Sequence, residues 1–182
     1  ISNKWFNNYK EALSSLNMGM EFIIDNTELL LEFYSSLGDI YNSLKEYELS
    51  DSFYQKVLEI DSTNVVVLNN YSYYLSLRKV NLEKALEMSK KSNDLNPENG
   101  TYQDTYAWIL YQMEEFEEAK KWILKALSNG SAKSPVVVEH YGDILYKLGE
   151  EESAIIQWKN AKELGEGSKL LNKKIKEGTL YE

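Results

Sequence analysis

The chain has 182 residues, 43% of them hydrophobic and 27% charged, and its 20 Lys+Arg against 29 Asp+Glu give a formal net charge of -9. That balance argues against nucleic acid or an anionic membrane as the main partner, because both require net cationic surface. The absence of cysteine excludes disulfides, thiol catalysis and Cys-ligated zinc, and a single histidine, His140, leaves nothing from which to build a multi-histidine metal site.

The chain opens Ile1-Ser2-Asn3, without an initiator methionine, and reads as a piece of a longer product. No basic start leads into an apolar stretch of signal-peptide type, and no apolar run approaches the roughly 18 residues that mark a membrane span. Only two prolines and nine glycines point to long helices rather than a turn-rich β fold. Heavy use of Asn, Lys, Ile and Tyr points to an AT-rich, bacterial source.

Taken in order, Tyr9, Ala12, Leu16, Gly19 and Met20 fit one helical face. Leu37-Gly38-Asp39-Ile40-Tyr41 follows, with Tyr47 and Tyr54 beyond it, and the pattern returns as Tyr141-Gly142-Asp143-Ile144-Leu145 with Ala154 and Trp158. Between these, Gly38, Ser72, Ala107 and Gly142 step by 34, 35 and 35 residues. Ser50, Ala85, Ala119 and Ala154 keep the same phase, as do Val57, Ser92, Ala126 and Ala161. In Gln112–Ser128 the residues Phe116, Ala119, Ile123, Ala126 and Leu127 lie on one face of a helix. Turn signals separate the helices at Asn96-Pro97, Asn99-Gly100, Asn129-Gly130 and Leu148-Gly149. Small residues at fixed sites on paired helices predict close backbone approach, with larger neighbours filling the gaps.

These residues resemble the tetratricopeptide repeat, a helix-turn-helix of about 34 residues with Leu-Gly, then Tyr, then Ala and an aromatic. Four complete copies fit, over 31–64, 65–99, 100–134 and 135–168, after a partial copy in 1–30 and before a capping helix and tail in 169–182. Copy 100–134 matches best, through Asp104-Thr105-Tyr106-Ala107-Trp108 and Phe116-Glu117-Glu118-Ala119. Copy 65–99 departs most: it carries an extra residue near Val80-Asn81, and Ser89 and Ser92 predict looser packing. Ser168–Glu177, with Leu170, Leu171 and Ile175 on one stripe and lysines elsewhere, reads as the cap. The resemblance implies one all-α domain, a right-handed superhelical solenoid whose first helices line a concave side. The N-terminal end lacks a first helix to pair with Tyr9–Phe22. Either further repeats precede Ile1, or Trp5 and Phe6 cover that face.

The resemblance also implies a non-catalytic protein-protein interaction scaffold that holds a peptide or protein segment in the concave groove, with no cofactor. Helical phase puts Ser35, Asp39, Asn42, Asn69, Tyr73, Ser76, Asp104, Trp108, Tyr111, Glu139, Asp143 and Tyr146 on that wall. Asn amides can pair with a peptide backbone, Trp108 and Tyr73 offer flat contact area, and the carboxylates would favour basic groups. Asp39 and Asp143, each following a packed glycine, could instead pair locally. Tyr41, Tyr71, Tyr106, Tyr141 and Trp158 are expected in the core. A family subset clamps a chaperone's terminal carboxylate with basic residues; here those sites are Ser35, Asp39, Asn69, Thr101 and Thr105, so that role is not expected.

Enzymatic alternatives fail on chemistry. Glu139, His140 and Asp143 share a helical turn, but two carboxylates and one histidine are a poor zinc set. No Gly-x-Ser-x-Gly turn accompanies His140, and Gly165-Glu166-Gly167 lacks a phosphate-loop pattern. The competing function is a structural spacer or a self-association segment of a longer array, acting through its N-terminal end. A softer similarity, running from Asp104-Thr105-Tyr106-Ala107-Trp108 to Trp158, to the C-terminal parts of long repeat proteins of Gram-negative bacteria favours a periplasmic or envelope location over the cytoplasm.

Overall fold

A computed structural model of the chain describes residues 26–182, together with Glu11, Ser14 and Gly19. Trp5, Phe6 and most of the partial first copy, including Tyr9, Ala12, Leu16 and Met20, lie outside the described residues. The chain divides into two compact units, Ile1–Tyr71 and Ser72–Glu182. Among the described residues there is no strand.

The first unit holds α1 (Thr27–Ser43), α2 (Tyr47–Ile60) and the start of α3 (Val65–Leu77), which crosses the boundary. The second holds the rest of α3, then α4 (Leu82–Leu95), α5 (Gly100–Gln112), α6 (Phe116–Ser128), a 3-10 turn (Ser131–Lys133), α7 (Pro135–Lys147), α8 (Glu151–Leu164) and α9 (Leu171–Glu177). Within each unit consecutive helices pack on one another, α1 on α2 and then α4 on α5 through to α8 on α9. This is the all-α helix-turn-helix fold expected from the repeat phase.

Two local devices recur once per repeat. The first helix of each pair begins at a short polar side chain that accepts a hydrogen bond from an otherwise unpaired helical N–H. Asn26 accepts from Leu29 N–H at 3.0 Å, Asn64 from Val67 at 3.1 Å, Asn99 from Thr101 at 2.9 Å and Ser134 from Val137 at 3.4 Å. Pro135 supports the last of these, since a proline in the first turn removes a donor that has no intrahelical acceptor. The second device is the turn into the second helix, which uses a left-handed residue: Lys45, Lys79, Glu114 and Gly149, with φ of 64°, 54°, 64° and 79°. Only the last is a glycine. The α3–α4 connection has one residue more than the other three, and Asn81 is a second left-handed residue there, with φ of 49°.

The phased small residues are the inside of the protein. All twelve members of the three series, from Gly38 to Ala161, are buried. Around Ala107, Ala119 and Ala126 pack Leu110, Ile123, Val137 and Ile144. Around Ala154 and Ala161 pack Val138, Leu145, Trp158 and Leu171. Of the aromatics expected in the core, Tyr71 and Trp158 are fully buried, while Tyr41, Tyr106 and Tyr141 are half-buried at its edge. In α4 the serine substitutions leave a polar flaw, because the buried Ser89 hydroxyl has no hydrogen-bond partner among the described residues.

Candidate functional site: the polar wall of the second unit

Asp39, Asn42 and Asn69 belong to the first unit. Asp39 accepts a hydrogen bond from the Tyr54 hydroxyl at 2.6 Å, Asn42 is half-buried near the end of α1, and the Asn69 amide is buried and donates to Asn70 Oδ1 at 3.2 Å. The local pairing open to Asp39 is therefore realised. A matching arrangement occurs in the last repeat, where Asp143 accepts from the Trp158 indole N–H at 2.8 Å. In both, the aromatic lies against the glycine that precedes the aspartate. A Cβ at Gly38 would sit 2.7 Å from the Tyr54 ring, and one at Gly142 would sit 2.5 Å from Trp158.

In the second unit, α5 contributes Asp104, Trp108 and Tyr111, α7 contributes Glu139, His140, Asp143 and Tyr146, and α3 contributes Tyr73. Asp104, Tyr111, Glu139 and Asp143 are buried, and Tyr73, Trp108 and Tyr146 are half-buried. Trp108 stacks on Tyr111 at 4.7 Å between centroids and on His140 at 4.0 Å. Tyr146 stacks on Trp158 at 5.6 Å. The Trp108 indole N–H is buried without a hydrogen-bond partner among the described residues. Tyr73, Trp108 and His140 line one pocket of about 420 Å³, and burial raises the Tyr73 hydroxyl pKa above its usual value.

The carboxylates of this wall are neutralised from within. Asp104 Oδ1 lies 2.9 Å from His140 Nδ1. Burial opposes a charge on the imidazole, but Asp104 outweighs it and the His140 pKa is raised. Lys174 of α9 reaches Glu139 at 2.9 Å and both Asp143 oxygens at 2.7 Å, with all three side chains almost fully buried. Ser168 donates to Glu139 through its N–H at 2.7 Å and its hydroxyl at 2.5 Å. Burial works against ionised Glu139, yet Ser168 and Lys174 prevail and hold its carboxyl below the usual range, whereas burial pushes Asp143 upward despite Lys174. Glu139, His140 and Asp143 are thus engaged as an ion-pair network. Among the described residues no group of His, Asp and Glu has the arrangement of a metal site.

Sequence reasoning missed Lys174, treating it as one more surface lysine of the cap. The cap helix begins at Leu171 rather than Ser168, and Lys174 points into the wall instead of away from it. A signal was present. Ser35, Asn69, Asp104 and Glu139 are one repeat position, and a further step of 35 residues lands on Lys174. The cap helix therefore supplies the next rung of the ladder. Also missed were Lys79, Tyr181 and Glu182, which line the pocket, and Lys147, which pairs with Glu182. Tyr111 donates its hydroxyl to Glu182, and the Glu182 carboxylate lies 3.2 Å from Lys147 and 3.4 Å from Lys79. Nothing in the local pattern of a five-residue tail marks it as part of this wall.

The tetratricopeptide repeat model matches residues 31–64 and 102–129. The chain carries tetratricopeptide repeats. It is 30% identical over 118 residues to the type IV pilus assembly protein PilF of Pseudomonas aeruginosa, an overlap of 64% of this chain and 46% of that protein. The chain thus spans less than half the length of that relative. The solved P. aeruginosa PilF structure superposes with a TM-score of 0.74 at 25% identity, covering 90% of this chain and 72% of that one. A tetratricopeptide repeat protein from Parabacteroides merdae gives a TM-score of 0.78 at 16% identity, with 95% and 66% covered. YrrB, described as a TPR protein with an unusual peptide-binding site, gives 0.62 at 19% identity, with 82% and 74% covered. The fold is that of protein-protein interaction scaffolds, and among the described residues no helix is long and apolar enough to cross a membrane.

Proposed function

We propose that this chain is a non-catalytic scaffold that holds an extended protein segment against the polar, aromatic wall of its repeats. The observation that carries the reading is the pocket lined by both Tyr73 and Trp108, together with a buried Trp108 indole N–H that has no hydrogen-bond partner among the described residues. Aromatic faces give contact area at low entropic cost, and an unpaired donor favours a ligand carbonyl that satisfies it. Of the remaining sequence-assigned positions, Asp104, Tyr111, Glu139, Asp143 and Tyr146 act in this reading by shaping and rigidifying the wall of the second unit, while Asp39, Asn42 and Asn69 are proposed contacts on the first unit. The likeness to PilF directs the search for the partner to the cell envelope and to pilus assembly components. The test is cross-linking capture from envelope fractions with the unaltered chain and with Trp108→Ala/Tyr73→Ala. A partner held by the first and lost by the second, with helical content unchanged, supports the groove. Equal capture by both rejects it.

A further inference from the structure

At the mouth of that pocket the chain binds a piece of itself. After α9, Gly178 turns the backbone in the left-handed region, with φ of 62°, and residues Thr179–Glu182 run on without regular structure. Tyr181 joins Tyr73 and Trp108 in lining the pocket. The Glu182 carboxylate takes the Tyr111 hydroxyl from α5, Lys147 from the end of α7 and Lys79 from the α3–α4 turn. One five-residue stretch thus touches three successive repeats of the unit, which is how an extended ligand would be held. The basic groups matter because the acidic wall behind them is already matched by His140 and Lys174. What converges on Glu182, which lines the pocket, is two lysines and a tyrosine hydroxyl sharing one carboxylate. Burial works against that charge, but the hydrogen bond from Tyr111 and the two lysines hold the Glu182 carboxyl below its usual range.

We propose that Gly178–Glu182 is a tethered stand-in for the partner, and that the groove recognises an acidic aromatic segment, an aromatic side chain followed by a carboxylate, which displaces the tail. The inference rests on the groove reading above and names its ligand chemistry. It reverses the expectation, drawn from the acidic residues alone, that basic groups would be preferred. A tail joined by a few residues competes at high effective concentration, so the intact chain binds such a segment weakly.

The experiment empties the site in the full chain with Tyr181→Ala/Glu182→Gln. The probe is a labelled Gly-Thr-Leu-Tyr-Glu peptide, capped at both ends so that the glutamate side chain carries its only carboxylate. Titration to millimolar concentration, followed by anisotropy, is expected to show binding at least about tenfold tighter to the emptied chain than to the unaltered one. Binding should weaken by at least about tenfold when the peptide's Glu is replaced by Gln, or when Lys147→Glu is added to the emptied chain. No saturable binding, equal binding to both chains, or indifference to the Glu-to-Gln peptide would each overturn the proposal. The two readings fail separately. A captured partner that depends on Trp108 and Tyr73 but not on the tail leaves the groove and removes the stand-in. Peptide binding without aromatic-dependent capture does the opposite.

Discussion

The first and last complete repeats place the same three residues in the same relation, and the outcome differs. Gly38, Asp39 and Tyr54 in one, and Gly142, Asp143 and Trp158 in the other, set an aromatic on a glycine and let the following aspartate take the aromatic's polar hydrogen, at 2.6 Å and 2.8 Å. Asp39 is half-buried. Asp143 is buried, and it also holds Lys174, which in turn holds Glu139. Where the last repeat has Glu139, the first has Ser35. One local motif therefore acts as a packing anchor in one repeat and as part of a buried ion-pair network in the other. The difference comes from what the following rung supplies.

The largest expected effect comes from removing that rung. Lys174→Met should cost about 3–5 kcal/mol in urea unfolding, because it leaves two buried carboxylates without their cation. A loss under about 1 kcal/mol would mean that Ser168 and Trp158 suffice, and that the two repeats are electrostatically alike. Next come the glycines. Gly142→Ala and Gly38→Ala should each cost about 1–3 kcal/mol, since the new methyl meets a ring buried on all sides. Equal losses would establish the anchor as common to both repeats, and a loss only at Gly142 would break the comparison. Asp39→Asn should cost about 0.5–1.5 kcal/mol, because an amide oxygen still accepts from Tyr54 while the charge assistance is gone. The same measurement on Tyr54→Phe should give a similar value.

The smallest effect is a pH dependence present only in the last repeats. His140 is the chain's one histidine, and its pKa is raised above the ordinary 6.5 mainly because Asp104 overcomes the cost of burial. The stabilisation from protonated His140 is thus full below about pH 6.5 and fades as pH rises through the raised value. Unfolding free energy measured between pH 6 and 9 should fall across that window, and the fall should vanish in His140→Gln. Stability that rises over the same range in the unaltered chain would contradict the Asp104–His140 pair.

The fold was legible because its determinants are local and periodic. The phase of Gly38, Ser72, Ala107 and Gly142, with the two series that accompany it, marks positions inside the helix pairs, and all of these residues are buried. The Asn and Ser caps and the Asn-Gly and Leu-Gly turns set where helices begin and end. The left-handed Lys45, Lys79 and Glu114 were less readable, because their side chains are ordinary and only the helix pairing forces that backbone.

The wall was legible as a set of positions but not as a set of states. Helical phase, read through the repeat resemblance, assigns Asp104, Glu139 and Asp143 to one face of the first helices. Whether each carboxylate faces a ligand, a histidine or a lysine depends on side chains about one repeat away, such as His140 for Asp104 and Lys174 for Glu139. The tail is the extreme case, since Glu182 meets Tyr111 across 71 residues. A helix pattern reports which face a residue occupies. Only three-dimensional packing brings distant charges within about 3 Å and so decides which of them remain to greet a partner.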